Sequence, residues 1–368
     1  MVSQIYDNPD QKHGSRAEVS VEVVVPARNE QDCIGRCLES LTNQQGIGFR
    51  ITVVDDGSTD RTREIAQSFP GVRVIAAPEP APGVSGKCNA LIVGATGATA
   101  KWLLFTDADT FHFPGSLARA VAEAEQRRVD LLSYSPEQET ASLGERALMP
   151  VVFAELARTY PPQRVNDPRD PTAAANGQYM LVRREAYMCL GGHQVVANKI
   201  LEDVELARIF KASHHGLWFR QGAGLVSTRM YRDFRSMCEG WTKNLAFLFR
   251  RPLALAAWRG LEFAAIAGLL FAATIYQVQG DSRVALAMLA VGAGIYSLFL
   301  LRIRRAHFPA IANLLAVLGL PLFAILLVRS WLHAKVQGAV TWKGRIYRHS
   351  APTGAADSSI GKGFEAES

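Results

Sequence analysis

Short apolar runs alternate with stretches of helical periodicity from residue 19 to residue 241, and three longer apolar stretches follow. Residues 19–25 are rich in valine and predict a strand. Arg28, Asn29 and Glu30 come next, and then Ile34, Cys37, Leu38 and Leu41 recur at helical spacing. Residues 51–54 predict a second strand that ends in Asp55 and Asp56, with Gly57-Ser58-Thr59-Asp60 supplying capping residues for another helix. Residues 72–76 and 102–106 predict two more strands, the last running into Asp107-Ala108-Asp109. This order predicts an α/β domain with a mostly parallel sheet flanked by helices. Ligands of such sheets bind beyond the carboxyl ends of the strands. The polar clusters 28–30, 55–56 and 107–109 fall at those ends.

The apolar stretches cover residues 261–278, 284–301 and 309–328, and only Glu262 interrupts them with a charge. Each approaches the length needed to cross a bilayer, and a chain of this size has little room to bury all three as a bundle. They predict a C-terminal α-helical membrane region. The chain then divides into a flexible N-terminus (1–18), an α/β domain (19–243), an interfacial linker helix (244–260), transmembrane helices (261–328), a basic and aromatic interfacial segment (329–349) and a disordered tail (350–368). Arg250, Arg251 and Arg259 precede the first stretch, and Arg302, Arg304 and Arg305 separate the second from the third. Both clusters favour the cytoplasm and fit an out-and-back hairpin. Arg329, Lys335, Lys343, Arg345 and Arg348 follow the third stretch, where three full crossings would place them outside. Pro321 predicts a re-entrant or kinked third segment, with the tail returned to the cytoplasm.

Composition sharpens this picture. Of 368 residues 48% are hydrophobic, and the net charge is +6. The basic residues flank apolar spans instead of forming one stripe with exposed aromatics, which argues against nucleic acid and for a membrane or a phosphorylated substrate. Five cysteines are scattered without a CxxC pair, as suits a reducing compartment. Cys33 and Cys37 are four apart, but no second pair completes a metal site. Residues 1–18 hold no apolar core of a signal peptide. The expectation is a multi-pass protein of the inner (cytoplasmic) membrane whose α/β domain is cytoplasmic.

Four elements carry chemistry. Asp107 and Asp109, two apart at a strand end, can project into one crevice and share a hard divalent ion with a diphosphate, although acidic pairs are usually solvated turns. Asp55-Asp56 could accept a hydrogen bond from a uracil imide, or simply cap a turn. Gly83-Val84-Ser85-Gly86-Lys87 places glycines and a lysine at a helix start, which suits a diphosphate. It fits neither the P-loop nor the GxGxxG spacing. Glu202-Asp203 sits among apolar residues at a predicted helix start; it is a general base with a raised pKa or plain decoration of a helix N-terminus.

Together these elements resemble family 2 glycosyltransferases of the GT-A fold. The matching pieces are Val25-Pro26-Ala27-Arg28-Asn29-Glu30, Val54-Asp55-Asp56-Gly57-Ser58-Thr59-Asp60, Gly86-Lys87, Thr106-Asp107-Ala108-Asp109 and Glu202-Asp203, in order across about two hundred residues. The resemblance implies that Pro26, Arg28, Glu30 and Asp56 hold the nucleoside. It places Lys87 and Asp107 near the diphosphate, Asp107 and Asp109 on Mg²⁺ or Mn²⁺, and Asp203 as the base. Gly191-Gly192-His193, Met230-Tyr231, Glu239-Gly240-Trp241-Thr242-Lys243 and Trp342-Lys343-Gly344-Arg345-Ile346-Tyr347 look like the carotenoid-acid glycosyltransferases of the diaponeurosporenoate type. Hopanoid-associated and ceramide-type enzymes share parts of this layout. Two departures count. Glu239 and Gly240 precede Trp241 where processive synthases carry QxxRW, and the N-terminal membrane helix common in such relatives is not seen. Glu202 and Trp241 are acceptor-site candidates, Trp241 by stacking or, alternatively, as an interfacial anchor. The implied activity is inverting transfer of a hexose from a UDP-sugar to a hydroxyl or carboxyl of a lipid-like acceptor. A sugar nucleotidyltransferase and a non-catalytic nucleotide-sugar-binding membrane protein are the alternatives. The first needs a glycine-rich loop near the first strand, and the second predicts a broken acid set.

Overall fold

The computed structural model describes residues 19–337, 339–342 and 345–348. The expected flexible N-terminus and disordered tail lie outside these residues, as does Lys343. Seven strands form the main sheet: β1 (Val21–Ala27), β2 (Phe49–Asp55), β3 (Val72–Ala76), β4 (Trp102–Phe105), β5 (Leu131–Ser135), β6 (Met180–Arg183) and β7 (Leu217–Gln221). Their spatial order is β3-β2-β1-β4-β6-β5-β7. All pairings are parallel except those of β6, which runs antiparallel to β4 and β5. β1 and β4 are buried along nearly their whole length, which explains their unbroken apolar runs.

Helices cover both faces. α1 (Ile34–Thr42) buries Ile34, Cys37, Leu38 and Leu41, the positions whose spacing predicts it. On the other face lie α2 (Gly86–Ala95) and α4 (Glu202–Ala212), which bury Leu91, Leu206 and Phe210. A Cβ at Gly94 would overlap the methyls of Val24, so glycine lets α2 approach the sheet. A third core lies outside this sandwich. There α3 (Leu143–Thr159) and α5 (Phe234–Leu248) pack with the last of three long helices, α6 (Pro252–Val278), α7 (Ser282–Ile303) and α8 (Ala310–Leu332).

These three helices are each long and apolar enough to cross a membrane. α6 starts at Pro252, ahead of the apolar stretch at 261, because proline suits the first helical turn. Residues 244–260 therefore divide between the end of α5, a short break and the start of α6. Pro321 stays inside a continuous helix.

Candidate active site

Parallel register assembles the site. Ala27 pairs with Asp55 and Val24 with Phe105, so the residues after β1, β2 and β4 emerge along one edge. Arg28 Nη1 donates to the Asp56 carbonyl at 2.6 Å and lies 3.9 Å from its carboxylate. Asn29 takes a left-handed φ of 52°. Its Oδ1 accepts from Thr59 N at 2.8 Å, a long-range bond that ties this turn to the loop after β2. Glu30 N donates to Thr62 Oγ1 at 2.7 Å, which fixes the loop after β1 against the loop after β2.

Lys87 joins the strand ends to α4. Ser85 caps α2 by accepting from Cys88 N at 3.0 Å, which places Lys87 in the first turn. Its Nζ lies 2.9 Å from Asp107 Oδ1 and 3.1 Å from Glu202 Oε1. Burial opposes the ammonium charge, but Asp107, Glu202 and Asp203 hold the Lys87 pKa well above its ordinary value.

α4 starts with Glu202 and Asp203 in its first turn. Asp203 Oδ2 accepts from Gly177 N and Oδ1 from Val204 N, both at 2.8 Å. Burial and the neighbouring Glu202 push the Asp203 carboxyl up to about 6, against the pull of Lys87. Burial also works on Glu202, but Lys87 and Lys243 hold it below its ordinary value. One acid of the pair is thus kept ionised while the other titrates near neutrality. A Cβ at Gly177 would come 3.0 Å from Lys87 Nζ and 3.5 Å from Asp203 Oδ2, so glycine admits both groups.

A single cavity of about 1560 Å³ takes in every candidate residue. Pro26, Arg28, Glu30 and Asp56 line it, as do Lys87, Asp107 and Asp109. Glu202, Asp203 and Trp241 line it too. Trp241 is 3% exposed and meets Phe153 edge-on at 6.1 Å, so it is a wall residue and not an exposed anchor. The cavity continues past Tyr160 and Leu248 to Arg304, Arg305 and His307, in the turn between α7 and α8. Among the described residues no group of three or more His, Cys, Asp or Glu forms a metal cage. Asp107 and Asp109 both line the cavity.

Sequence reasoning passes over several residues of this cavity. Lys243, quoted above only within a motif, lies near Glu202 and Asp107, two of the charges that Lys87 meets. Gly177 contributes only backbone, and nothing in Asn176-Gly177-Gln178 signals it. Arg304 and Arg305 read as topology markers, yet they line the cavity.

Comparison with known proteins decides the family. The model for glycosyl transferase family 2 matches residues 22–191. The 4,4'-diaponeurosporenoate glycosyltransferase of Staphylococcus aureus strain MRSA252 is 30% identical over 345 residues, covering 89% of this chain and 88% of the relative. The chain belongs to glycosyl transferase family 2. The homologue of strain USA300 is 29% identical over the same share of both chains. Among solved structures, the mannosyltransferase PcManGT from Pyrobaculum calidifontis, in complex with GDP-Man and Mn²⁺, matches with a TM-score of 0.49 and 17% identity, over 87% of this chain and 90% of that one. Glucosyl-3-phosphoglycerate synthase from Mycobacterium tuberculosis matches with a TM-score of 0.43 and 18% identity, over 67% and 86%.

The family 2 chain is a transferase enzyme, built on a mostly parallel sheet flanked by helices. The matched segment ends at residue 191, before Glu202 and Asp203. These acids join the site through α4, which packs on the same sheet face as α2.

Proposed function

We propose that the chain is an inverting glycosyltransferase that moves a hexose from a UDP-sugar to a hydroxyl or carboxyl of a lipid-like acceptor at a membrane. One observation carries the reading. The cavity that holds Lys87, Asp107 and Asp203 runs on between aromatic and apolar walls to the turn before α8, beside helices long enough to span a bilayer. A nucleotidyltransferase has no use for such an arm.

In this reading Asp56 and Arg28 receive the nucleoside, with Pro26 and Glu30 bounding its pocket. Lys87 meets the diphosphate. Asp107 and Asp109 are hard oxygen donors at a strand end and fit Mg²⁺ or Mn²⁺. Such an ion, when bound, neutralises charge on the leaving diphosphate. Asp203 accepts the proton of an acceptor hydroxyl as its oxygen bonds to the anomeric carbon. The bond from that carbon to the UDP oxygen breaks from the opposite face, so configuration inverts. The relatives are named for diaponeurosporenoate. A carboxylate acceptor of that kind arrives ionised and gives Asp203 no proton to take. Glu202 and Trp241 then shape the acceptor side. The catalytic domain faces the cytoplasm, with the long helices in the cytoplasmic membrane.

The test is to incubate purified membranes with a panel of labelled nucleotide-sugars and extract the lipids. Label entering the lipid fraction from a UDP-hexose supports the reading, and Asp203→Asn should remove that label where the acceptor is a hydroxyl. No lipid label from any donor overturns it.

A further inference from the structure

We propose that α8 does not cross the bilayer. It lies along the catalytic domain with its outer face on the membrane surface, and α6 and α7 alone cross, as a hairpin. This rests on the membrane reading above and extends it.

The argument starts from where α8 is held. At its N-terminal end Phe308 packs on Phe153 of α3, with ring centroids 5.8 Å apart. In its middle, a Cβ at Gly319 would overlap the Ala147 carbonyl of α3, so the two backbones touch. Near its C-terminal end Ser330 Oγ accepts from Ala246 N of α5 at 2.8 Å. α3 and α5 are themselves joined, since Tyr160 Oη donates to the Leu248 carbonyl at 3.1 Å, and Phe153, Tyr160 and Leu248 all line the active-site cavity. A helix of 23 residues is about 34 Å long, close to the thickness of a hydrocarbon core. If α8 crossed, its two anchor points would sit in water on opposite sides of a membrane, yet both belong to one continuous protein body.

Side-chain burial along α8 agrees. Ala312, Ala316, Leu320, Phe323, Leu327 and Ser330 are buried at helical spacing over the whole length, against α3, α5 and α6 together, so the protein-facing stripe is in contact from end to end. The opposite row, Ile311, Leu314, Leu318, Ile325 and Leu332, is 45–65% exposed and wholly apolar. That row is what a lipid surface covers. Arg304 and Arg305 precede the helix, and Arg329 and Lys335 end it, so both ends carry cations suited to one anionic leaflet.

α6 and α7 differ. At their base Arg259 pairs with Glu155 of α3 at 2.9 Å and with Glu262 at 2.7 Å, while Arg302 pairs with Glu262 at 2.8 Å. Beyond this network the hairpin carries no charge except Asp281 and Arg283 at its tip. Only 6% and 11% of their apolar windows are buried within the protein, against 39% for α8.

This topology removes a conflict in the charges. With two crossings, the basic residues before α6, between α7 and α8, and after α8 all stay on the active-site side, as the positive-inside tendency requires.

The experiment labels Gln279→Cys and Lys335→Cys in the full chain with a membrane-impermeant maleimide, in right-side-out and inverted vesicles. Exposed Cys189 of the catalytic domain is the internal marker of side, and labelled peptides are read by mass spectrometry. Lys335→Cys should label from the side of Cys189 and Gln279→Cys from the other; His333→Cys is the second reporter if Lys335→Cys folds poorly. Labelling at 333 or 335 from the side opposite Cys189 overturns the surface placement of α8. Labelling at 279 from the side of Cys189 overturns the spanning hairpin, and with it the membrane-crossing part of the functional reading, whatever the lipid-labelling assay shows for catalysis.

Discussion

Lys87 Nζ stands 3.1 Å from Glu202 Oε1, and that contact ties the first turn of α2 to the first turn of α4. The same ammonium meets Asp107 at 2.9 Å. It is the counter-charge that lets carboxylates from a strand end and a helix start share one cavity. Lys87→Met should lower kcat/KM for the donor by ~10²–10³, the scale of losing one preorganised charge contact. Steady-state kinetics check it, with a melting curve alongside because Glu202 loses its partner. Unchanged kcat/KM would remove Lys87 from the diphosphate.

Asp203 tests the acceptor as well as the base. Asp203→Asn keeps the size of the side chain but not its basicity, so a hydroxyl acceptor should lose ~10²–10⁴ in kcat. Donor affinity, read by calorimetry with a UDP-sugar, should stay near wild type. A carboxylate acceptor needs no base and should lose far less. The same variant assayed on an alcohol and on an acid therefore separates the two chemistries. Normal turnover on both refutes the role.

The pH profile follows from the same carboxyl. Its pKa is raised to about 6, burial first and Glu202 second. A base acts ionised, so activity on a hydroxyl acceptor should rise through pH 6 and fall tenfold per unit below it. Glu202→Gln removes a charge that raises this pKa, and the acid limb should move to lower pH. A profile that stays put in that variant would contradict the coupling.

Much of this site is legible in sequence because parallel strands end together. Ala27-Arg28, Asp55-Asp56 and Asp107 share an edge once the register is parallel, and the valine- and leucine-rich runs fix that register by burial on both faces. Lys87 is legible because glycines and a serine cap mark its helix start. What sequence hides are contacts made by backbone or by distant helices. Gly177 serves Asp203 through an N–H that any residue carries, and glycine matters only because Lys87 crowds its Cα. Arg304 reaches the cavity only because α8 folds back on α3, and a hydropathy plot scores α8 as a span. The start of α6 at Pro252 shows the same limit, since its first turns are apolar enough to extend the helix but lie against α3 through Arg259.

Asp109 is the sharper metal probe, because Asp107 is shared with Lys87. Asp109→Ala should abolish the response of activity to added Mn²⁺ or Mg²⁺ while Asp107 and Lys87 keep the donor weakly bound. Titration of chelated enzyme with Mn²⁺ reads it. An unchanged metal dependence means the ion, if used, is held elsewhere.

Glu123 carries the stability prediction, remote from the cavity. Tyr134 Oη donates to it at 2.6 Å, Arg220 Nη2 at 2.6 Å and Trp218 Nε1 at 3.1 Å. These donors come from β5 and β7, so one carboxylate on the helix Ser116–Arg127 pins the far edge of the sheet. Burial favours the neutral acid, but Arg220 and Tyr134 win and lower the pKa to about 2. A carboxyl lowered in the folded state contributes stability that is full above its ordinary value and drains away as pH falls towards 2. Glu123→Gln should cost about 2 kcal/mol at pH 7, less than a fully buried pair because the side chain is 15% exposed. It should also flatten the acid dependence, so thermal melts of wild type and variant in detergent draw together as pH falls from about 5 towards 2. Parallel melting curves over that range would show that the edge is held by packing and not by this carboxylate.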